Sequence, residues 1–149
     1  LTNFREGLSY ARHRRQMRID FTLTLPGLFE VKRITALAQE LEVDVLAKVI
    51  FSFSPDIILS PLALPRQLLD KTVDRLVTDL PAGAMRDVLL QLKTRPTFEE
   101  QWPMTYAEGL AQGKSRVLQL EEIRQDSYTL QDILSTDAEI LEWYESIIT

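Results

Sequence analysis

Residues 18–25 read Arg-Ile-Asp-Phe-Thr-Leu-Thr-Leu and run directly into Pro26-Gly27. Polar and apolar side chains alternate along this stretch, and it is rich in residues that favour β-structure. A period of two is typical of a strand that buries one face, and a Pro-Gly pair is a strong turn signal. The sequence therefore predicts a β-strand over residues 18–25.

The segments that follow this strand predict a βαβ unit. Apolar side chains then recur at helical spacing at Ile34, Leu37, Ala38 and Leu41, which predicts a helix from about Glu30 to Leu41. Residues 43–51 are short, β-branched and largely apolar, and they predict a second strand. Strand, helix and strand joined by tight connections imply a parallel, right-handed crossover.

The rest of the chain is predicted to be helical apart from one loop. Asn3 and Glu6 have the spacing of a helix cap, which predicts a helix from Phe4 to about Gln16. Prolines at 55, 61 and 65 predict a long, shaped loop after the second strand. From Arg66 onward apolar stripes indicate helices, and four Ser/Thr–acid spacings predict capping boxes: Thr97/Glu100, Thr105/Glu108, Thr129/Asp132 and Thr136/Glu139.

Composition excludes several classes of function. The chain has 149 residues, a net charge of −5 and an isoelectric point near 4.9, so we expect neither nucleic-acid binding nor attraction to an anionic membrane. With no cysteine, it has no disulfide, thiolate metal site or cysteine nucleophile. This composition fits a reducing compartment, and we expect a cytoplasmic protein. No stretch approaches the length of about 18 apolar residues that a membrane span needs.

Two strands are too few for a free-standing parallel sheet, because such sheets normally contain more strands and are covered on both faces. We therefore expect further strands on the N-terminal side. The chain does not begin with Met, which suggests a cleaved, truncated or subcloned product.

Three polar side chains are candidates for a binding site. Alternation places Thr22 and Thr24 opposite the apolar side of the first strand, and Lys48 lies near the end of the second. If the chain is a slice of an α/β barrel, this side faces the lumen, where such enzymes bind their ligands. The alternatives are an ion pair of Lys48 with Asp20 or Asp44, escape of its ammonium to solvent, and threonines chosen only for β propensity.

The familiar catalytic motifs are absent from the sequence. It contains no Gly-rich phosphate loop, HExxH, GxSxG or histidine cluster. The single histidine, His13, lies in a basic helical pattern, and we expect it on the surface.

Several segments resemble the second half of radical S-adenosylmethionine (SAM) enzymes, and most closely the group with a short twitch-type C-terminal extension. The resemblance covers about Asn3 to Leu80 and rests on sequence pattern. It is carried by these segments: Asn3-Phe-Arg-Glu-Gly-Leu8, Phe21-Thr-Leu-Thr-Leu25, Ala38-Gln-Glu-Leu41, Val43-Asp-Val45 and Leu59-Ser-Pro-Leu-Ala-Leu-Pro65.

The resemblance implies the C-terminal fragment of a partial (β/α) barrel, helix–strand–helix–strand over residues 1–80, followed by a mostly helical extension over residues 81–149. It makes Thr22, Thr24 and Lys48 the candidate residues that line the SAM and substrate cavity. A CxxxCxxC loop near the first barrel strand holds the [4Fe-4S] cluster in that family, so this chain alone would bind no cofactor and be inactive. Its partner would be the missing N-terminal half of the barrel or another copy of itself.

Two other interpretations remain open at this level. The helical C-terminal third could be a non-enzymatic module that binds a protein or self-associates and hides unpaired sheet edges. The chain could also belong to a different α/β barrel whose chemistry lies on other loops, because a fold does not fix a function.

Overall fold

The structure, a computed structural model, describes Asn3, residues 5–7 and residues 17–149. The predicted helix from Phe4 to Gln16 lies largely outside the described residues, as does His13. Two strands and seven helices follow in the described part: β1 (Arg18–Leu23), α1 (Val31–Leu41), β2 (Asp44–Val49), α2 (Arg66–Thr78), α3 (Ala84–Leu92), α4 (Phe98–Gln101), α5 (Tyr106–Arg124), α6 (Leu130–Leu134) and α7 (Ala138–Ser146). Short 3₁₀ turns occupy Pro26–Phe29 and Pro61–Ala63.

The two strands form a parallel pair with α1 as the crossover, as the sequence predicts. The register runs from Arg18 opposite Asp44 to Leu23 opposite Val49. The chain is thus a mixed α/β protein, mostly helical in its described part, with a small two-stranded parallel sheet.

Both strands are shorter than the sequence predicts. The Ile50 amide still donates to the Leu23 carbonyl at 3.0 Å, but the Leu25 amide donates to the carbonyl of Leu59 at 2.6 Å. The returning loop has taken the place where a longer β2 would pair, and the predicted extension to residue 51 is wrong. Phe51, which the sequence predicts to end the second strand, is 80% exposed.

One apolar core joins the sheet to the helices. Leu23, Leu25 and Leu28 are fully buried in the same cluster as side chains from α2, α3, α4, α6 and α7. The cluster therefore includes residues before and after residue 80, which is the boundary that the resemblance suggests. The division at residue 80 stays a prediction.

Two of the four predicted capping boxes are confirmed. Thr97 and Thr129 each accept the amide three residues on, while the acids Glu100 and Asp132 accept the cap amides. The box at Thr105 is wrong, because its side chain makes no cap hydrogen bond. The box at Thr136 is also wrong, since its neighbour Asp137 caps α7 by accepting the Glu139 and Ile140 amides. A carboxylate accepts these helix-end amides more strongly than a hydroxyl does.

Two glycines on α5 let that helix touch the loop after β2. A Cβ on Gly109 would lie 2.7 Å from Pro55 side-chain atoms, and one on Gly113 would lie 2.6 Å from the Asp56 carbonyl oxygen. One turn further along, Arg116 pairs with the Asp56 carboxylate. The G-x-x-x-G spacing puts both small residues on one helix face, so helix and loop approach closely there.

We expect Gly113→Ala to lower the free energy of unfolding by about 1–3 kcal/mol, because the new methyl group meets backbone that cannot move aside. The better helix propensity of alanine offsets about 1 kcal/mol of this loss. Urea denaturation measures the change. Gln119→Ala, on an exposed part of α5, is the control and leaves stability within about 0.5 kcal/mol. Equal stability of Gly113→Ala and wild type would contradict the close contact.

Arg66, at the start of α2, ties that helix to α4 and to the chain after α3. Its guanidinium donates to Glu100 Oε2 at 2.7 Å, to Asp70 Oδ1 at 3.3 Å and to the carbonyl of Arg95. The Arg66 hydrogen bond, followed by that from the Thr97 amide, lowers the pKa of Glu100 to about 2. The same carboxylate thus caps α4 and binds α2.

The lowered pKa of Glu100 makes the free energy of unfolding depend on pH in the acidic range. A carboxyl whose folded pKa lies below its unfolded value of about 4.3 stabilises the fold above that value, and this contribution disappears as pH falls towards 2. We expect Glu100→Gln to lose less stability than wild type between pH 5 and pH 2 in urea titrations. Glu99→Gln removes an adjacent exposed charge and serves as the control, with an acid profile like that of wild type.

None of the described helices combines the length and the apolar character needed to cross a lipid bilayer.

Candidate functional site

The β1–β2 sheet has one covered face and one bare face. On the covered face, Ile19 and Leu23 of β1 are buried, and Val45, Ala47 and Val49 of β2 are half-buried. Every strand residue of the other parity is exposed, and we call this set the bare face: Arg18, Asp20, Thr22, Asp44, Leu46 and Lys48. Parallel sheets are normally covered on both sides, so the bare face is the feature in which the described sheet departs from that rule.

The structure brings two of the three predicted site residues together. Thr22 lies directly opposite Lys48 in the register, one row before the carboxyl end of the sheet. Asp20 is held by Arg18, whose Nε lies 2.8 Å from its carboxylate. Asp44 stands four residues from Lys48 along one strand, about 13 Å away. Neither alternative ion pair of Lys48 is present among the described residues, and the residue is exposed.

Thr24 differs from the other two candidates. Its hydroxyl accepts the Gly27 amide at 3.0 Å, and a Cβ on Gly27 would come within 2.9 Å of that same oxygen. The side chain is half-buried in the turn that starts the first 3₁₀ segment. The hydrogen bond to Gly27 explains a threonine at position 24 without any ligand. The binding role of Thr24 stays a prediction.

Replacement of the two threonines separates these roles. We expect Thr24→Val to lower the free energy of unfolding by about 1 kcal/mol, because the half-buried Gly27 amide loses its acceptor. Thr22→Val keeps the branched shape on an exposed strand position and changes stability by less than about 0.5 kcal/mol. Chemical denaturation of the two variants checks the difference, and equal losses would contradict it.

An aromatic pair follows the carboxyl end of β2. Phe51 and Phe53 are 80% and 71% exposed, with ring centroids 5.7 Å apart. Ligands in α/β proteins bind at the carboxyl ends of parallel strands, so these rings stand in the region where a ligand would be expected. Sequence reasoning missed them because it assigned Phe51 to a longer, largely apolar second strand.

The loop that carries the aromatic pair is anchored to α5 through Asp56. Asp56 accepts hydrogen bonds from the Ser54 hydroxyl and from Arg116 of α5. The Ser54 bond is the main cause of the lowered pKa of Asp56, the Arg116 contact adds to it, and partial burial opposes it. The carboxylate thus stays charged and holds the loop against Gly109 and Gly113. The G-x-x-x-G spacing was the sequence signal for this contact, and it was overlooked.

A cavity lies at the other end of the sheet. About 460 Å³ open beside the amino end of β2, between Ala38 of α1, Val43 and Met85 of α3. This is the opposite end from Thr22, Lys48 and the aromatic pair. The predicted site is therefore an open surface rather than an enclosed pocket in the described chain.

The described residues do not fit an iron–sulfur cluster. No group of three or more His, Asp or Glu side chains among them could hold a metal ion, and the sequence has no cysteine to supply thiolates. A cluster would have to be held entirely by other residues.

Comparisons with protein-family models, with curated proteins and with solved structures give no match to this chain.

Proposed function

We propose that the chain is the C-terminal region of a radical SAM-like enzyme, in which residues 1–80 complete a partial (β/α) barrel and residues 81–149 form a helical cap. The bare face of the sheet is the observation that carries this proposal. A parallel pair with one polar, uncovered face and two outer edges is what a segment cut from a barrel would present.

In this proposal Thr22 and Lys48 face the barrel lumen and contact SAM. SAM carries a carboxylate and ribose hydroxyls, which an ammonium and a threonine hydroxyl can bind with charge-assisted and neutral hydrogen bonds. Thr24 lies at the rim of the same site, with its hydroxyl shared with the turn. The [4Fe-4S] cluster belongs to the N-terminal half, so that this chain alone is inactive, and the enzyme works in the cytoplasm.

SAM binding by the complete gene product tests the proposal. After anaerobic reconstitution with iron and sulfide, we expect the visible absorption of a sulfur-ligated cluster and binding of SAM in calorimetry. Lys48→Met should weaken SAM binding about tenfold, because a buried carboxylate loses its charged partner. Lys71→Met, which removes an exposed lysine paired with Glu139 on the helical side, is the control and leaves binding unchanged.

An upstream sequence without a CxxxCxxC loop, together with no SAM binding, would overturn the proposal. Normal SAM binding by Lys48→Met would overturn the role of that residue alone.

A second candidate function is a helical interaction module. The end of α5 beyond Arg116 exposes Leu118, Leu120 and Ile123, the last at 78%, and Tyr128 follows at 67%. Leu120 and Ile123 are three residues apart and share one face. An exposed apolar strip on a helix is typical of a protein contact, so this observation favours the module if SAM is not bound.

A further inference from the structure

We propose that two copies of this chain associate through the bare faces of their sheets, with β2 of one copy packed antiparallel on β2 of the other. The proposal goes beyond the barrel and does not depend on it. It concerns the chain when no strands from elsewhere cover the sheet.

The order of exposed side chains on β2 is complementary to itself when reversed. Along the strand they are an acid, an apolar residue and a base, at Asp44, Leu46 and Lys48. In a two-fold arrangement centred on Leu46, each Asp44 meets the Lys48 of the second copy, and the two leucines meet at the axis. A two-fold contact is isologous, so one such pair necessarily occurs twice.

The charged groups on this surface are available for such pairs. Among the described residues, Asp44 and Lys48 have no ion-pair partner of their own chain, while Leu46 is 42% exposed. Burial of Leu46 in the contact is favourable, and both lone charges gain a counter-ion.

The neighbouring strand is compatible with the same arrangement. Reversal places Arg18 against Thr22 and brings the two Asp20 side chains together. Each Asp20 is already neutralised by its own Arg18 at 2.8 Å. The other two-fold arrangement, with β1 packed on β2, pairs Asp44 with Arg18, but it sets Leu46 against Asp20 and leaves Lys48 opposite Thr22 without an acid. The antiparallel arrangement is therefore favoured.

The contact is small, and we expect a weak dimer. Six side chains per copy cover less than the area of a standard interface, although Phe51 and Phe53 at each end of the strand pair can add to it. A dissociation constant of about 10–100 μM is consistent with a contact of this size. Because the pairs are ionic, dissociation should increase with salt.

Sedimentation velocity of the 149-residue chain over a concentration series tests the proposal. We expect Asp44→Lys and Lys48→Glu each to weaken the dimer at least about tenfold, because like charges then meet twice. Asp44→Lys combined with Lys48→Glu in one chain should restore it to within about threefold of wild type. Circular dichroism and urea melts confirm that each variant is folded.

Mixing the two single variants gives the sharpest outcome. One then carries two lysines and the other two acids at these positions, so a mixture should form a heterodimer more tightly than either variant forms a homodimer. A Leu120→Asp, Ile123→Asp double variant is the control, since it changes the exposed face of α5 and should keep the dimer.

A wild-type chain that stays monomeric at about 1 mM would overturn the proposal, as would failure of the charge-swapped chain or of the mixture to associate. Loss of the dimer only in the α5 variant would overturn it in favour of the helical module. SAM binding by the complete gene product is measured separately, so failure of the dimer and failure of the enzyme proposal remain distinguishable.

Discussion

The parallel pairing of β1 with β2 is the constraint on which the rest of the described structure depends. Parallel strands need a crossover, and α1 supplies it while covering one face of the sheet. The covered face places Leu23 and Leu25 in the core that the later helices complete. The same pairing leaves the side chains of the opposite face exposed.

The helical part of the chain is held to this sheet by specific close contacts as well as by apolar burial. Gly109 and Gly113 let α5 approach the loop after β2, and Asp56 with Arg116 fixes the approach. On the other side, Arg66 joins α2 to Glu100 of α4 and to the chain after α3. At the far end, Lys114 of α5 donates to the Tyr144 and Ile147 carbonyls and so closes the end of α7. These contacts and the shared apolar core pack the helices against the sheet in the described part of the chain.

Both proposals give the bare face a cover, and they differ in what the cover is. In the enzyme, strands of the N-terminal half would close the barrel and Lys48 would face a ligand. In the isolated chain, a second copy would supply the acid that Lys48 lacks. An exposed lysine and an exposed acid on one strand are compatible with either state, because each needs only an opposite charge brought by the partner.

Much of the fold could be predicted from the sequence because strands and helices leave periodic patterns of apolar residues within short segments. The alternation in residues 18–25 and the stripe from Ile34 to Leu41 gave the strand, helix and parallel crossover, and Thr97 and Thr129 gave two helix starts. Local patterns could not predict which of several possible hydrogen-bond partners a group would choose. The Leu59 carbonyl ended the strand pairing at Leu25, and Asp137 displaced Thr136 as a cap.

The sequence by itself determined which side chains share a face within each strand, and so it grouped Thr22 with Asp20 and Lys48 with Asp44. Only the tertiary structure decided that Thr22 stands opposite Lys48, that Thr24 turns into a hydrogen bond with Gly27, and that Phe51 is exposed. The physical reason is that side-chain parity follows from backbone geometry alone, whereas register, burial and hydrogen-bond choice depend on segments far apart in the chain.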